Sequence, residues 1–258
     1  MNKAIALFDS GIGGLTVLQS ILQVLPSEDY VYLADNAYFP YGTKSFDDVK
    51  ARIVTIARYL SSLGVKAIVI ACNTASLHAK FLKSIVNFPV IDVIAPTCRL
   101  VQSVTKNNKV CLLATDATVS SNLYQQILSN KGIQTTAVPC STFVPIAEDC
   151  LFDEVSKRQI VFDKLSAIAE RDFDTVVLGC THFGLLEGPI CSVLGNRSYV
   201  ECGVPTAMQL HNVLSQNNLL SSANNGKIQL ISTGSLDVFS NVSTLFNLPF
   251  TTIESVRI

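Results

Sequence analysis

Charge is scarce in this chain. Only 15% of its 258 residues are Asp, Glu, Lys or Arg, against about a quarter in an average soluble domain, and 48% are hydrophobic. The net charge is −1 and no stretch gathers lysines and arginines, so the sequence carries no nucleic-acid footprint. Low charge raises the question of a membrane protein. No run approaches the roughly 20 consecutive apolar residues that a spanning helix needs. Asp, Asn, Pro or Gly interrupts every one. Met1-Asn2-Lys3-Ala4 leads straight into a strand, with no signal-peptide pattern. The eight cysteines include no C-x-x-C pair, which argues against a structural zinc site. A chain this apolar needs no disulfide staples. No lysine sits in a context suited to a Schiff base with pyridoxal phosphate. These absences lead to an expectation of a cytoplasmic protein with reduced thiols, no metal, no membrane and no nucleic-acid partner.

What the chain does have is buried sheet. Two stretches stand out: Ala67-Ile68-Val69-Ile70-Ala71-Cys72-Asn73-Thr74 and Thr175-Val176-Val177-Leu178-Gly179-Cys180-Thr181-His182. An uninterrupted apolar run reads as a strand buried on both faces. A cysteine just past such a strand sits where open α/β sheets keep their ligand crevices. Each cysteine should also precede a helix, whose N-terminus favours a thiolate.

Around these stretches the pattern repeats. Strands are expected at Ala4 to Phe8, Tyr30 to Ala34 and Val90 to Ile94, the last ending in Ala95-Pro96. Helices are expected from Leu15 to Leu22, from Lys44 to Leu63 with Gly64 as its cap, and from Thr74 to Val86. From Lys109 the order begins again. Val110 to Ala114 is a strand, Thr115 to Thr118 a polar turn, Ser120 to Asn130 a helix and Gln134 to Val138 a strand. Cys140 to Pro145 reads as a loop and Phe152 to Glu170 as a long helix. Asp9 and Cys72 are 63 residues apart; Thr115 and Cys180 are 65 apart. The remaining segments continue the alternation: a strand at Arg197 to Val200, a helix at Pro205 to Leu214, a loop at 221–226, a strand at Lys227 to Ile231, a helix at Leu236 to Phe246 and a strand at Phe250 to Val256. Such alternation implies parallel sheets with helices on both faces. The expectation is two pseudo-symmetric, doubly wound α/β lobes with the site in the crevice between them. Residues 1–95 with 206–258 form the first lobe and residues 96–205 the second.

The turn Asp9-Ser10-Gly11-Ile12-Gly13-Gly14 fits neither G-x-G-x-x-G nor G-x-x-x-x-G-K-[ST]. A tight turn bringing backbone N–H groups to a small anion suits it better. Asp9 should reach the crevice, or else cap a helix. His182, two residues past Cys180, could tune the thiol or a substrate group. Glu148 could also face the crevice. His78 and His211 are read as structural. Free cysteine is among the most buried residue types, so Cys98, Cys111, Cys140, Cys150, Cys191 and Cys202 are read as inert. On residues alone, three functions stay open: proton transfer between two thiols, a thiol hydrolase using Cys72 or Cys180 with His182, and an amino-acid-binding module without turnover.

Five stretches, in order, resemble the glutamate racemases of the aspartate/glutamate racemase superfamily: residues 8–17 (FDSGIGGLTV), 39–45 (FPYGTKS), 71–76 (ACNTAS), 143–148 (FVPIAE) and 178–182 (LGCTH). The second favours the glutamate branch. The resemblance implies cofactor-independent proton transfer between L- and D-glutamate, in which one cysteine removes the α-proton and the other donates to the opposite face. It implies that Cys72 acts on D-glutamate with help from Asp9, and that Cys180 acts on L-glutamate with help from His182 and Glu148. Asp9, Ser10, Tyr41, Gly42, Asn73, Thr74, Thr118, Thr181 and His182 would bind the substrate. It also implies a supply of D-glutamate for peptidoglycan, and leaves a homodimer open. Ala95-Pro96-Thr97, Gly184 and Glu201-Cys202-Gly203 depart from what is common in the family. None removes a proposed catalytic residue.

Overall fold

Short apolar runs between polar turns fold into two all-parallel sheets. The computed structural model describes residues 3–148, 153–222, 226–240, 246 and 248–258. The first half runs β1 (Ile5–Asp9), α1 (Leu15–Val24), β2 (Tyr30–Ala34), α2 (Phe46–Ser62), β3 (Ala67–Ile70), α3 (Asn73–Ser76), α4 (Ala79–Ile85) and β4 (Val90–Asp92). A connecting helix α5 (Ile94–Val104) follows. The second half runs β5 (Lys109–Ala114), α6 (Asp116–Ser120), α7 (Leu123–Ser129), β6 (Gln134–Pro139), α8 (Phe143–Glu148), α9 (Glu154–Leu165), β7 (Thr175–Gly179), α10 (Glu187–Leu194) and β8 (Ser198–Val200). Then come α11 (Gly203–Gln216), β9 (Ile228–Ser232) and β10 (Thr252–Ser255).

The sheet orders are β10-β9-β2-β1-β3-β4 and β6-β5-β7-β8. Removing the two C-terminal strands from the first leaves β2-β1-β3-β4, the same order as the second with each strand replaced by its counterpart. β9 and β10 extend the first sheet at its β2 edge, paired in parallel. The chain is therefore two α/β lobes of one plan.

Both faces of each sheet are covered. Ile5, Leu7, Tyr32 and Val69 of the first sheet share one core with Val110, Leu112 and Val177 of the second. Helices α1, α5, α7 and α11 fill the space between the sheets, contributing Leu18, Ile21, Val101, Leu128 and Leu210. On the outer face of the first sheet, Phe8 and Ile70 pack on Ile53, Ile56 and Leu60 of α2. On the outer face of the second, Leu113 and Leu178 pack on Val161 and Leu165 of α9 and Ile190 of α10. Helix α2 begins as its sequence suggests. The Ser45 hydroxyl accepts from the Asp48 N–H, and Gly64 adopts φ +71° just past the end.

Several local expectations are corrected. The strand expected to reach Ile94 stops at Asp92, and α5 starts there. The Asp92 carboxylate accepts from the N–H groups of Ile94 and Ala95, and Pro96 lies in the first turn, where its missing N–H leaves no intrahelical bond unmade. Pro145 sits likewise near the start of α8, so the expected loop at Cys140 to Pro145 is partly helix. The helix expected from Thr74 to Val86 breaks at Leu77–His78 into α3 and α4. The one expected from Ser120 to Asn130 breaks at Asn122, which adopts φ +57° between α6 and α7. The C-terminal helix shows a short 3-10 turn at Leu236–Phe239, and 241–245 lie outside the described residues, as do 223–225 of the expected loop. Cys150 and Phe152 also lie outside them. The seven described cysteines are free.

His78, at the break before α4, is buried against Phe46, with ring centroids 4.0 Å apart. Burial, together with the nearby Lys50 charge, pushes its pKa down to about 4. In an unfolded chain a histidine titrates near 6.5. Between those values the unfolded chain holds the proton and the folded chain does not, so His78 lowers stability as pH falls through that window. Between pH 7 and pH 4.5, the gap between wild type and His78→Gln in urea denaturation is expected to move by about 2 kcal/mol in favour of the variant. An unchanged gap would mean that His78 is charged in the fold.

Candidate active site

The two marked cysteines come from equivalent places. Cys72 follows β3 and caps α3, with φ −71° and ψ 125°. Cys180 follows β7 and precedes a 3-10 turn at Phe183–Leu186. Both are almost fully buried. Both line one small cleft. From the first lobe, Ser10, Tyr41, Gly42, Asn73 and Thr74 line it beside Cys72; from the second, Thr181 and His182 line it beside Cys180. Most of the residues expected from the sequence thus meet at one place.

The two thiols have different neighbours. On the first side, the Cys72 sulfur lies 4.0 Å from the Ser10 hydroxyl. Burial and the adjacent Asp9 charge push the Cys72 thiol well up. The Ala75 N–H at the start of α3 pulls the other way, but that helix has only four residues and burial is the larger influence. Burial also pushes the Asp9 carboxyl up, opposed by the His182 charge and the Gly14 N–H. Asp9 Oδ2 accepts from Gly14 N–H at 2.7 Å and from the Thr181 hydroxyl at 3.3 Å. On the second side, Cys180 Sγ lies 3.6 Å from His182 Nδ1, and His182 Nε2 lies 2.6 Å from Glu148 Oε1. Burial alone would push His182 down. Its hydrogen bonds to Cys180 and Glu148, with their charges, push it well up instead.

The glycine-rich turn serves these carboxylates. Ile12 N–H donates to Glu148 Oε1 at 3.1 Å, and Gly14 N–H to Asp9. The anions expected at this turn are the protein's own. A Cβ on Gly13 would stand 2.7 Å from the His182 ring and the Thr181 hydroxyl, and one on Gly11 2.6 Å from Glu148. Those glycines let Glu148, Thr181 and His182 of the second lobe pack directly on the first lobe's turn.

Asp9 and Glu148 stand behind the cleft wall, reaching it through Thr181 and His182. Thr118 is fully buried and does not line the cleft; its hydroxyl is 3.0 Å from that of Thr115, which does. Thr115 was not singled out for the site. The repeat already held the signal, because Thr115 follows β5 as Ser10 follows β1. Tyr124 was missed too. Its hydroxyl donates to Asn73 Oδ1 at 2.6 Å and fixes which way that amide faces. No group of three or more metal-ligating side chains occurs among the described residues. No helix among them is long and apolar enough to cross a membrane.

A family profile of Asp/Glu/hydantoin racemases matches residues 10–207. A glutamate racemase of Listeria monocytogenes is 33% identical over 264 residues, covering 100% of this chain and 99% of that protein. A crystal structure of a glutamate racemase isoform from Bacillus anthracis superposes with a TM-score of 0.93 at 32% identity, covering 98% of this chain and 97% of the other. The Francisella tularensis glutamate racemase, solved in complex with D-glutamate, gives 0.90 at 32% identity, covering 99% and 97%.

Proposed function

We propose, given that the chain belongs to the Asp/Glu/hydantoin racemase family, that it interconverts L- and D-glutamate without a cofactor, using Cys72 and Cys180 as the acid–base pair. The observation that carries this reading is the meeting of two cysteines from equivalent strand ends in one small cleft, each with its own polar helper. A thiolate takes the α-proton, the electron pair stays at Cα, and the opposite thiol delivers a proton to the other face. The carbanion's charge spreads onto the adjacent carboxylate, where oriented donors stabilise it. Backbone and hydroxyl donors of Ser10, Asn73, Thr74 and Thr181 are suited to holding the substrate's carboxylates, with Tyr41 and Gly42 closing over them. Thr118 acts through Thr115. Cys72 serves D-glutamate with Asp9 beside it; Cys180 serves L-glutamate with His182 and Glu148. The thiols must start each turnover in opposite protonation states, so they titrate as a coupled unit.

The lobes are taken as 1–95 with 206–258 and 96–205. The product D-glutamate suits peptidoglycan synthesis in the cytoplasm, and a homodimer is compatible with the fold. L-glutamate in D₂O with the enzyme is expected to acquire deuterium at Cα and to yield D-glutamate, followed by proton NMR and chiral chromatography. Absence of Cα exchange would sink the proposal. A second reading has one observation in its favour. Cys180, His182 and Glu148 form a nucleophile–base–carboxylate series of the kind thiol hydrolases use. That reading gives Cys72 no role.

A further inference from the structure

The cleft adjoins a larger neighbour. A pocket of about 320 Å³ opens between the start of α2, the α3–α4 break and α6. Lys44, Phe46, Leu77, Ala117 and Ser120 line it, and Thr74 lines both this pocket and the cysteine cleft. Thr115 lines the cleft and not the pocket, and it packs on the shared Thr74. Its hydroxyl is 3.0 Å from that of Thr74, and its methyl lies 2.9 Å from where a Cβ on Gly42 would be. Thr115 belongs to the second sheet's half of the chain, and Thr74 and Gly42 to the first. The partition is thus a lobe-to-lobe contact of small side chains, which a slight opening of the lobes would part.

The pocket's charge points to its visitor. Lys44 is exposed and is the only charged side chain among the described residues lining it, since His78, with a pKa of about 4, is neutral. Lys44 joins no ion pair among the described residues. A free cation at the mouth of a space that adjoins a site for a dicarboxylate favours that dicarboxylate's approach. Resting on the reading of the cleft as a glutamate site, we propose that this pocket is the vestibule through which glutamate enters and leaves. Lys44 draws the carboxylates to the mouth, and the Thr115 contact is the gate.

Lys44→Glu tests the charge and Ala117→Trp the passage. At low ionic strength Lys44→Glu is expected to lower kcat/KM for both enantiomers roughly tenfold, with kcat within about twofold. The loss should shrink by about 0.5 M salt, as screening removes the field. Ala117→Trp narrows the pocket and should lower kcat/KM as well. Because the chain has no other tryptophan, its emission should also respond to either enantiomer. The proposal is overturned if kcat/KM stays within twofold in both variants, or if the Lys44→Glu loss is the same in high salt. Lys44 is exposed, so that variant does not depend on repacking. The wild-type deuterium exchange is measured first. If it fails, the racemase reading falls, and entry is then judged by the rate at which glutamate changes the tryptophan emission of Ala117→Trp, with and without Lys44→Glu, across the same salt series: equal association rates would overturn the vestibule too.

Discussion

Cys72→Ser and Cys180→Ser are each expected to lower racemisation by about a thousandfold or more. Serine keeps the size of the side chain but not its acidity, and a positioned general acid or base contributes on the order of 10² to 10⁴ in rate. The two variants should differ in what survives. Without Cys72, Cys180 still has His182 at 3.6 Å, paired in turn with Glu148. It can still exchange the α-proton of L-glutamate with solvent, but no thiol stands opposite to invert the centre. Without Cys180, Cys72 with Asp9 should exchange the α-proton of D-glutamate alone. Deuterium uptake from D₂O, followed separately for each enantiomer, reads this directly. A thiol hydrolase built on Cys180 and His182 would lose its reaction in Cys180→Ser and keep it in Cys72→Ser. Racemisation that persists in either variant would rule out the two-thiol mechanism.

The symmetric part of this molecule was legible in its sequence, and the asymmetric part was not. The apolar runs before Cys72 and Cys180, and the matched spacing from Asp9 and Thr115, announced two copies of one strand order; the sheets have it. Tyr30–Ala34 and Thr175–Gly179 are strands over the residues expected. Helix α5 escaped because Pro96 reads locally as a stop, whereas a proline in the first turn of a helix breaks no bond. The distinct surroundings of the two thiols are built by contacts between distant segments. His182 and Glu148 are 34 residues apart, and Glu148 also holds the Ile12 N–H, 136 residues away. For the same reason the glycines at 11 and 13 read as a tight turn for a small bound anion. Their true constraint, the nearness of Glu148 and His182, belongs to the other lobe. Periodicity reports which face of an element is buried; it carries no record of which polar groups that face will meet.

Asp35→Ala is expected to cost about 3–5 kcal/mol of stability, the penalty for leaving a buried charge without its partner. Nothing in the sequence marked Asp35, yet it is the most heavily bonded carboxylate near the cleft. It is fully buried and accepts from Arg52 Nε at 2.8 Å and Nη2 at 2.6 Å, from the Tyr41 hydroxyl at 2.5 Å and from the Thr233 hydroxyl at 2.7 Å. Arg52, itself buried, spends its remaining nitrogen on the Ile258 carbonyl at 2.7 Å and stacks its guanidinium 4.3 Å from the Tyr38 ring centre. Truncating Asp35 leaves that largely buried guanidinium without its carboxylate partner. Arg52→Lys should also be poorly tolerated, because an ammonium cannot reproduce the two-pronged contact. The consequence reaches the site through Tyr41, which lines the cleft while its hydroxyl is tied to Asp35, and through Gly42, which packs on Thr115. Tyr41→Phe removes only the hydroxyl's bond to a charged acceptor and should cost about 1.5–3 kcal/mol, separating the anchor from the ion pair. Urea denaturation gives the stabilities, and kinetics on the folded fraction should show KM rising more than kcat falls in both variants. An Asp35→Ala protein within about 1 kcal/mol of wild type would mean that Arg52 finds water or another acceptor, and Tyr41 would then owe its position to packing alone.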